Sequence, residues 1–151
     1  MKSGRKGQNL VEFGIVIPLL LLILFGAIDL GRLFHASITI TNAARVAARY
    51  VTMNPFPDEG TGQYTTAKNL AVQEAQDSGI QVVLANVSDP ICSVEYGRCV
   101  PYGKVTMSVS YDFQLLLGPV FPGGYVVPGY ACPDGRNLCF TLTRTAEMLV
   151  Q

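Results

Sequence analysis

Few residues in this chain are equipped for chemistry, and their spacing says more about what is done to the chain than about what it does. Cys92 and Cys99 flank six residues, Cys132 and Cys139 flank six more, and both intervals carry turn residues such as Gly97 and Gly135. Paired zinc ligands usually stand about two to four residues apart, and the single histidine, His35, lies far from either pair. Oxidation to disulfides suits these thiols better than metal binding. Four cysteines allow three connectivities; two local pairs, each closing a hairpin, are favoured. Disulfides require an oxidising compartment outside the cytoplasm.

The remaining groups form no catalytic constellation. Glu95, Asp112 and Glu147 are isolated carboxylates in strand or turn contexts and read as solvated. His35 reads as a polar surface residue, and no second histidine is present to build a triad or a metal site. The glycine-rich stretch from Gly118 to Gly129 has neither of the spacings that cradle phosphates. A net charge of +0 gives no broad basic surface for nucleic acid. The chain therefore reads as no enzyme, with no cofactor, no metal and no small-molecule substrate. It reads instead as something an enzyme acts upon, at a glycine, Gly7, set five residues ahead of an acid, Glu12.

The element behind that pair organises the rest. From Phe13 to Ile28, sixteen residues carry no charge, and Lys2, Arg5 and Lys6 all precede them. A secretory signal would have an apolar core of about 7–15 residues followed by a small-x-small cleavage site. Asp29-Leu30-Gly31-Arg32-Leu33-Phe34 offers no such site, so the segment is expected to stay. A spanning helix needs about 20 residues; Leu30, Leu33 and Phe34 extend the run to that length if Asp29 and Arg32, one turn apart, pair with each other or face a partner helix. The basic head predicts an N-terminus in the cytoplasm and a C-terminal domain outside, in a single-pass protein of the cytoplasmic membrane.

Beyond the run, Leu33, Ala36, Ile40, Ala43, Ala47 and Tyr50 recur at alternating spacings of three and four, one stripe of a helix. One helix from about Gln8 to Met53, stopped by Asn54-Pro55-Phe56-Pro57, would be about 70 Å long, more than twice the bilayer core. Pro18 inside it predicts a kink. The alanines of the outer half permit close approach of another helix, and the stripe also suits packing on this chain's own sheet. A second helix is expected from Thr65 or Thr66, as cap, through about Ser78, with Leu70, Ala71 and Ala75 inward and Gly79 as the stop. Ile80–Val87, Lys104–Phe113 and Phe140–Val150 read as strands, the last with Arg144 interrupting its apolar face, and Gly118–Gly129 lies in a long loop. The fold class is α+β: a long N-terminal helix, a shorter one and a small antiparallel sheet. Residues 1–7 form a leader, 8–54 the transmembrane and stem helix, and 55–151 the extracytoplasmic α+β domain.

Gly7 followed after four residues by Glu12-Phe13, behind a basic leader and ahead of an apolar helix, resembles the processing site of type IV prepilins and pseudopilins. With Pro18, Asp29-Leu30-Gly31-Arg32 and Asn42-Ala43-Ala44-Arg45-Val46-Ala47-Ala48-Arg49-Tyr50, the stretch from Gly7 to Val51 resembles the TadE/TadF-like proteins of the tight-adherence (Flp) pilus system. That resemblance implies a minor pilin of pilin-like fold, cut between Gly7 and Gln8 by a membrane prepilin peptidase. It also implies that the chain works with other pilins and the pilus assembly platform, in the bilayer or within a surface pilus. Gly7 has no side chain to obstruct an extended backbone entering a protease. Glu12, at the membrane border, would pair with the amine of a neighbouring subunit's Gln8. Alternatively it stabilises the positive end of its own helix or pairs with Lys6 in an uncut, permanently anchored scaffold.

Overall fold

The computed structural model describes residues 4–59, 63–92, 94–95, 98–99, 103–116 and 139–150. Its first element, α1, is one helix, Gly4–Met53, that continues through Pro18 and ends where Asn54 and Pro55 follow. Pro55 biases Asn54 away from helical geometry, and the Asn54 N–H closes the last turn on the Tyr50 carbonyl at 2.8 Å.

The second helix, α2, is Thr65–Asp77. Neither Thr65 nor Thr66 caps it: Tyr64 occupies the cap position without a side-chain bond. The Asp58 carboxylate, reaching over from the preceding loop, accepts the Thr66 N–H at 2.7 Å instead. An acid at a helix N-terminus satisfies an orphan donor and meets the positive end of the dipole, so a cap distant in sequence does the work of a local one. Gly79, at φ +79°, ends α2 as expected, in the left-handed conformation that glycine adopts without strain. The inward ridge of α2 is Ala67, Ala71 and Ala75, all fully buried, while Leu70 is only half-buried.

Two short strands, β1 (Val94–Glu95) and β2 (Arg98–Cys99), pair antiparallel. Two long ones, β3 (Lys104–Gln114) and β4 (Cys139–Leu149), pair antiparallel over their whole length, from Lys104 opposite Leu149 to Gln114 opposite Cys139. Alternation sorts the faces of β3: Val105, Met107, Val109 and Phe113 are buried, while Thr106, Ser108, Ser110 and Asp112 face partly outward. The expected strand at Ile80–Val87 is not formed. Ile80 and Val82 are buried and Gln81 and Val83 exposed, as in a strand, but this backbone pairs with no strand among the described residues. A 3-10 turn, Leu84–Asn86, then intervenes. From Val87 to Ile91 the chain reaches the edge of β3, through single bridges of Val87 to Val109 and Ile91 to Thr106 and through Ser88, which bonds Ser108 by its N–H and its hydroxyl.

The elements run back and forth along α1. Cys99 donates its N–H to the Pro55 carbonyl at 3.1 Å, just past the end of α1, and Leu116 donates to Asp29, halfway down it. So β3 descends α1 and β4 climbs it, with Arg144 at mid-strand meeting Ser37 at mid-stem, Nε to Oγ 3.0 Å. Arg144, which breaks the apolar alternation of β4, is thus accounted for by a polar residue on the helix opposite. An eleven-residue strand covers about 37 Å, matching the roughly 36 Å of helix from Asp29 to Met53. The core between them is Ala36, Ile40, Ala43, Ala44, Ala47, Ala48 and Val51 of α1, the α2 alanines, the β3 face, Ala146 and Val150. The predicted stripe of α1 lies inside this core. Ala44 and Ala48 add a second buried line, because α1 is covered by α2 as well as by the sheet.

Candidate functional site

The functional surface of this chain is α1 itself, which changes character along its length. From Leu10 to Ile28 every large apolar side chain is exposed. Among the described residues no element covers this segment, and the helix is long and apolar enough to cross a membrane. Leaving such a surface in water is unfavourable by about 25 cal/mol per Å², whereas a bilayer removes that cost. The segment fits a single-pass membrane anchor.

Above it, Asp29 forms the junction. Its side chain is 4% exposed and accepts three contacts: Arg32 Nη1 at 2.9 Å, and the Leu116 N–H at 3.0 and 3.2 Å from its two oxygens. A buried carboxylate is tolerable only when paired and hydrogen-bonded, and both conditions hold. Of the two arrangements open to Asp29 and Arg32 from sequence, pairing with each other is the one adopted. Arg32 also lies 5.2 Å from the centroid of the Phe113 ring and 3.3 Å from the Gln114 carbonyl, so one guanidinium ties the end of β3 to the stem. Beside it a groove of about 200 Å³ is lined by Gly26, Leu30, Leu33, Phe113 and Leu115.

Gly7 and Gln8 lie within the first turns of α1. Glu12 is exposed on α1, with no hydrogen bond or ion pair to another described residue. His35 is exposed too, on the rim of a second groove with Gly31, Gly79 and Tyr111.

Cys92 and Cys99 are joined in a disulfide, Cα to Cα 5.6 Å. Cys99 is fully buried, and its Sγ lies 3.6 Å from the Tyr64 hydroxyl, which donates to the Pro55 carbonyl at 2.9 Å. Burial pushes the Tyr64 phenol above its ordinary pKa, partly offset by the Cys99 backbone. The disulfide closes the β1–β2 hairpin, and the Cys99 N–H, donated to the Pro55 carbonyl, fastens it to the top of the stem. Cys132 and the glycine-rich loop around Gly118–Gly129 fall outside the described residues, and Cys139 is described only in its backbone pairing with Gln114.

Two carboxylates read as isolated are in fact engaged across the β3–β4 ladder. Asp112 accepts the Thr141 hydroxyl at 2.7 Å, and Glu147 is 2.6 Å from Lys104 Nζ. Opposite and diagonal positions on one sheet face bring these groups together, a proximity invisible without the register. Glu95 is described only in its backbone pairing with Arg98. Among the described residues no group of three or more His, Cys, Asp and Glu side chains could hold a metal ion.

No curated protein and no solved structure matches the chain. Residues 7–49 match the family model described as TadE-like protein. That range begins at Gly7, takes in the exposed apolar segment and the Asp29–Arg32 junction, and stops at exposed Arg49, beside the buried alanines of α1. Over this stem, from Gly7 to Arg49, the chain is similar to TadE-like proteins.

Proposed function

We propose that this chain is a minor pilin or pseudopilin that takes part in assembling an adhesive Flp/Tad pilus. A prepilin peptidase cuts it between Gly7 and Gln8 on the cytoplasmic side, and its α+β domain lies outside. The observation that carries this reading is the coincidence, over residues 7–49, of the TadE-like match with a helix segment whose large apolar side chains are exposed. A helix built this way is held by lipid and can be passed to other pilins without chemistry of its own. Glu12, exposed and unpaired among the described residues, is free to meet the amine that cleavage creates on a neighbouring subunit's Gln8.

One observation favours a second reading, an unprocessed anchor serving as a scaffold: α1 is helical from Gly4, so the Gly7–Gln8 bond lies within helix. Proteolysis needs extended backbone. The obstacle is small, since a terminal turn frays readily and glycine in a helix is about 1 kcal/mol less favourable than alanine.

N-terminal sequencing of protein purified from its native host separates the two, with Gln8 expected as the first residue. Intact Met1 termini beside an active peptidase would favour the anchor. Deleting the gene, and separately Glu12→Ala, should abolish or sharply reduce surface pili; normal pili in both strains would exclude the pilin role.

A further inference from the structure

Above the membrane segment α1 is wrapped by α2 and the sheet on its buried sides, and one stripe stays open. Leu30, Phe34 and Ile38 are 53%, 60% and 62% exposed, and Arg45 and Arg49 are exposed in line with them. At 3.6 residues per turn these five positions fall within an arc of about 100°. The same arc continues down through Ile23, Leu20 and Val16 to Glu12, so the stripe is continuous with the apolar surface below. Neither arginine has an ion pair among the described residues, where Arg32, Lys68 and Lys104 each have one.

We propose that this stripe docks the stem helix of a different subunit, one carrying an apolar face and, above it, two acidic residues one helical turn apart, opposite Arg45 and Arg49. Charge complementarity selects the occupant. Between Gln8 and Met53 this chain has only two acids, Glu12 and Asp29. Asp29 is buried in its own junction. Glu12 lies about 50 Å of helix below Arg45, at the far side of the bilayer. A second copy standing at the same height would set arginines against arginines, so the stripe disfavours stem contact between copies while remaining greasy enough to need cover. The inference rests on the pilus-subunit reading above and names the kind of subunit that reading requires beside this one.

The test places a photocrosslinking amino acid at Ile38 in the full-length protein in its native membrane, with Gln73 on α2 as the control position. The expected result is an adduct from Ile38, absent from Gln73, to a single-span protein whose stem carries the two acids. Arg45→Glu with Arg49→Glu should reduce it about tenfold, and exchanging the two acids for arginine in the partner should restore it. Both arginines lie outside the core, so disulfide formation and protease resistance should be unchanged in the variant. An adduct of two copies of this chain, a hetero-adduct indifferent to charge reversal, or no adduct in cells that need the gene for pili would overturn the inference and leave the pilin role standing. A charge-dependent hetero-adduct in cells whose pili do not need the gene would uphold the contact and remove the role.

Discussion

The Asp29 carboxylate holds the backbone N–H of Leu116, 87 residues further along the chain, at 3.0 Å. That bond fixes where the sheet meets the stem, at the height where the exposed apolar segment ends.

Removing the carboxylate should therefore loosen the end of β3. Asp29→Ala leaves the Leu116 N–H without this acceptor, while Arg32, 43% exposed, can turn to water; the change is expected to cost about 2–3 kcal/mol. Asp29→Asn keeps one acceptor and should cost about 1 kcal/mol. Urea unfolding in detergent, followed by proteolysis near Leu116, measures both; equal loss in the two variants would mean that the charge contributes nothing.

The fold should weaken in alkali through Tyr64. Burial raises its folded pKa above the ordinary 10.0, so the unfolded chain releases the proton first. The stabilisation is complete below pH about 10 and is lost as the pH climbs through the folded value. Tyr64→Phe should lower stability by about 1 kcal/mol at neutral pH, through the bond to Pro55, and should remove this residue's share of the alkaline loss. Denaturation midpoints at pH 8 and above pH 10 check both.

Close approach of α2 to α1 depends on alanine. Ala71→Leu places three extra carbons where Ala71 is fully buried, and is expected to cost about 1–3 kcal/mol by overpacking. The same change at exposed Gln73 should be nearly neutral. Thermal unfolding of the two variants side by side makes the comparison.

The Cys92–Cys99 bond closes a short loop, sequence separation 7. Its contribution should be about 2–3 kcal/mol. Cys92→Ser with Cys99→Ser should lose that amount without any reductant, and protease should then enter the segment between Gly79 and Cys92 first. Unchanged denaturation would show that the hairpin is held by Pro55 and Tyr64 alone.

Residues that carry their own pattern were legible in the sequence. The stripe from Leu33 to Tyr50 and the alternation from Val105 to Phe113 stand out because helices and strands bury one side at fixed periods. Gly79 marked its helix end through its backbone freedom. What escaped was set by neighbours distant along the chain. Asp58 replaces Thr65 and Thr66 as the cap, and Asp112 and Glu147 find Thr141 and Lys104 only once β3 and β4 are in register. The Ile80–Val87 segment has strand alternation, yet strandhood needs an adjacent ladder, and among the described residues none lies beside its first half. Within the candidate surface, the apolar run and the Asp29–Arg32 pair could be read directly. The Leu116 contact could not, because nothing local to Leu116 announces it.

Because β3 and β4 lie lengthwise along α1, a pull delivered along the stem meets their eleven residue pairs sideways. The rungs are strained together in shear and do not open singly like a zipper. Anchored low at Asp29 and midway at Ser37, the sheet acts as a splint, stiffening the very rod through which such a load would travel.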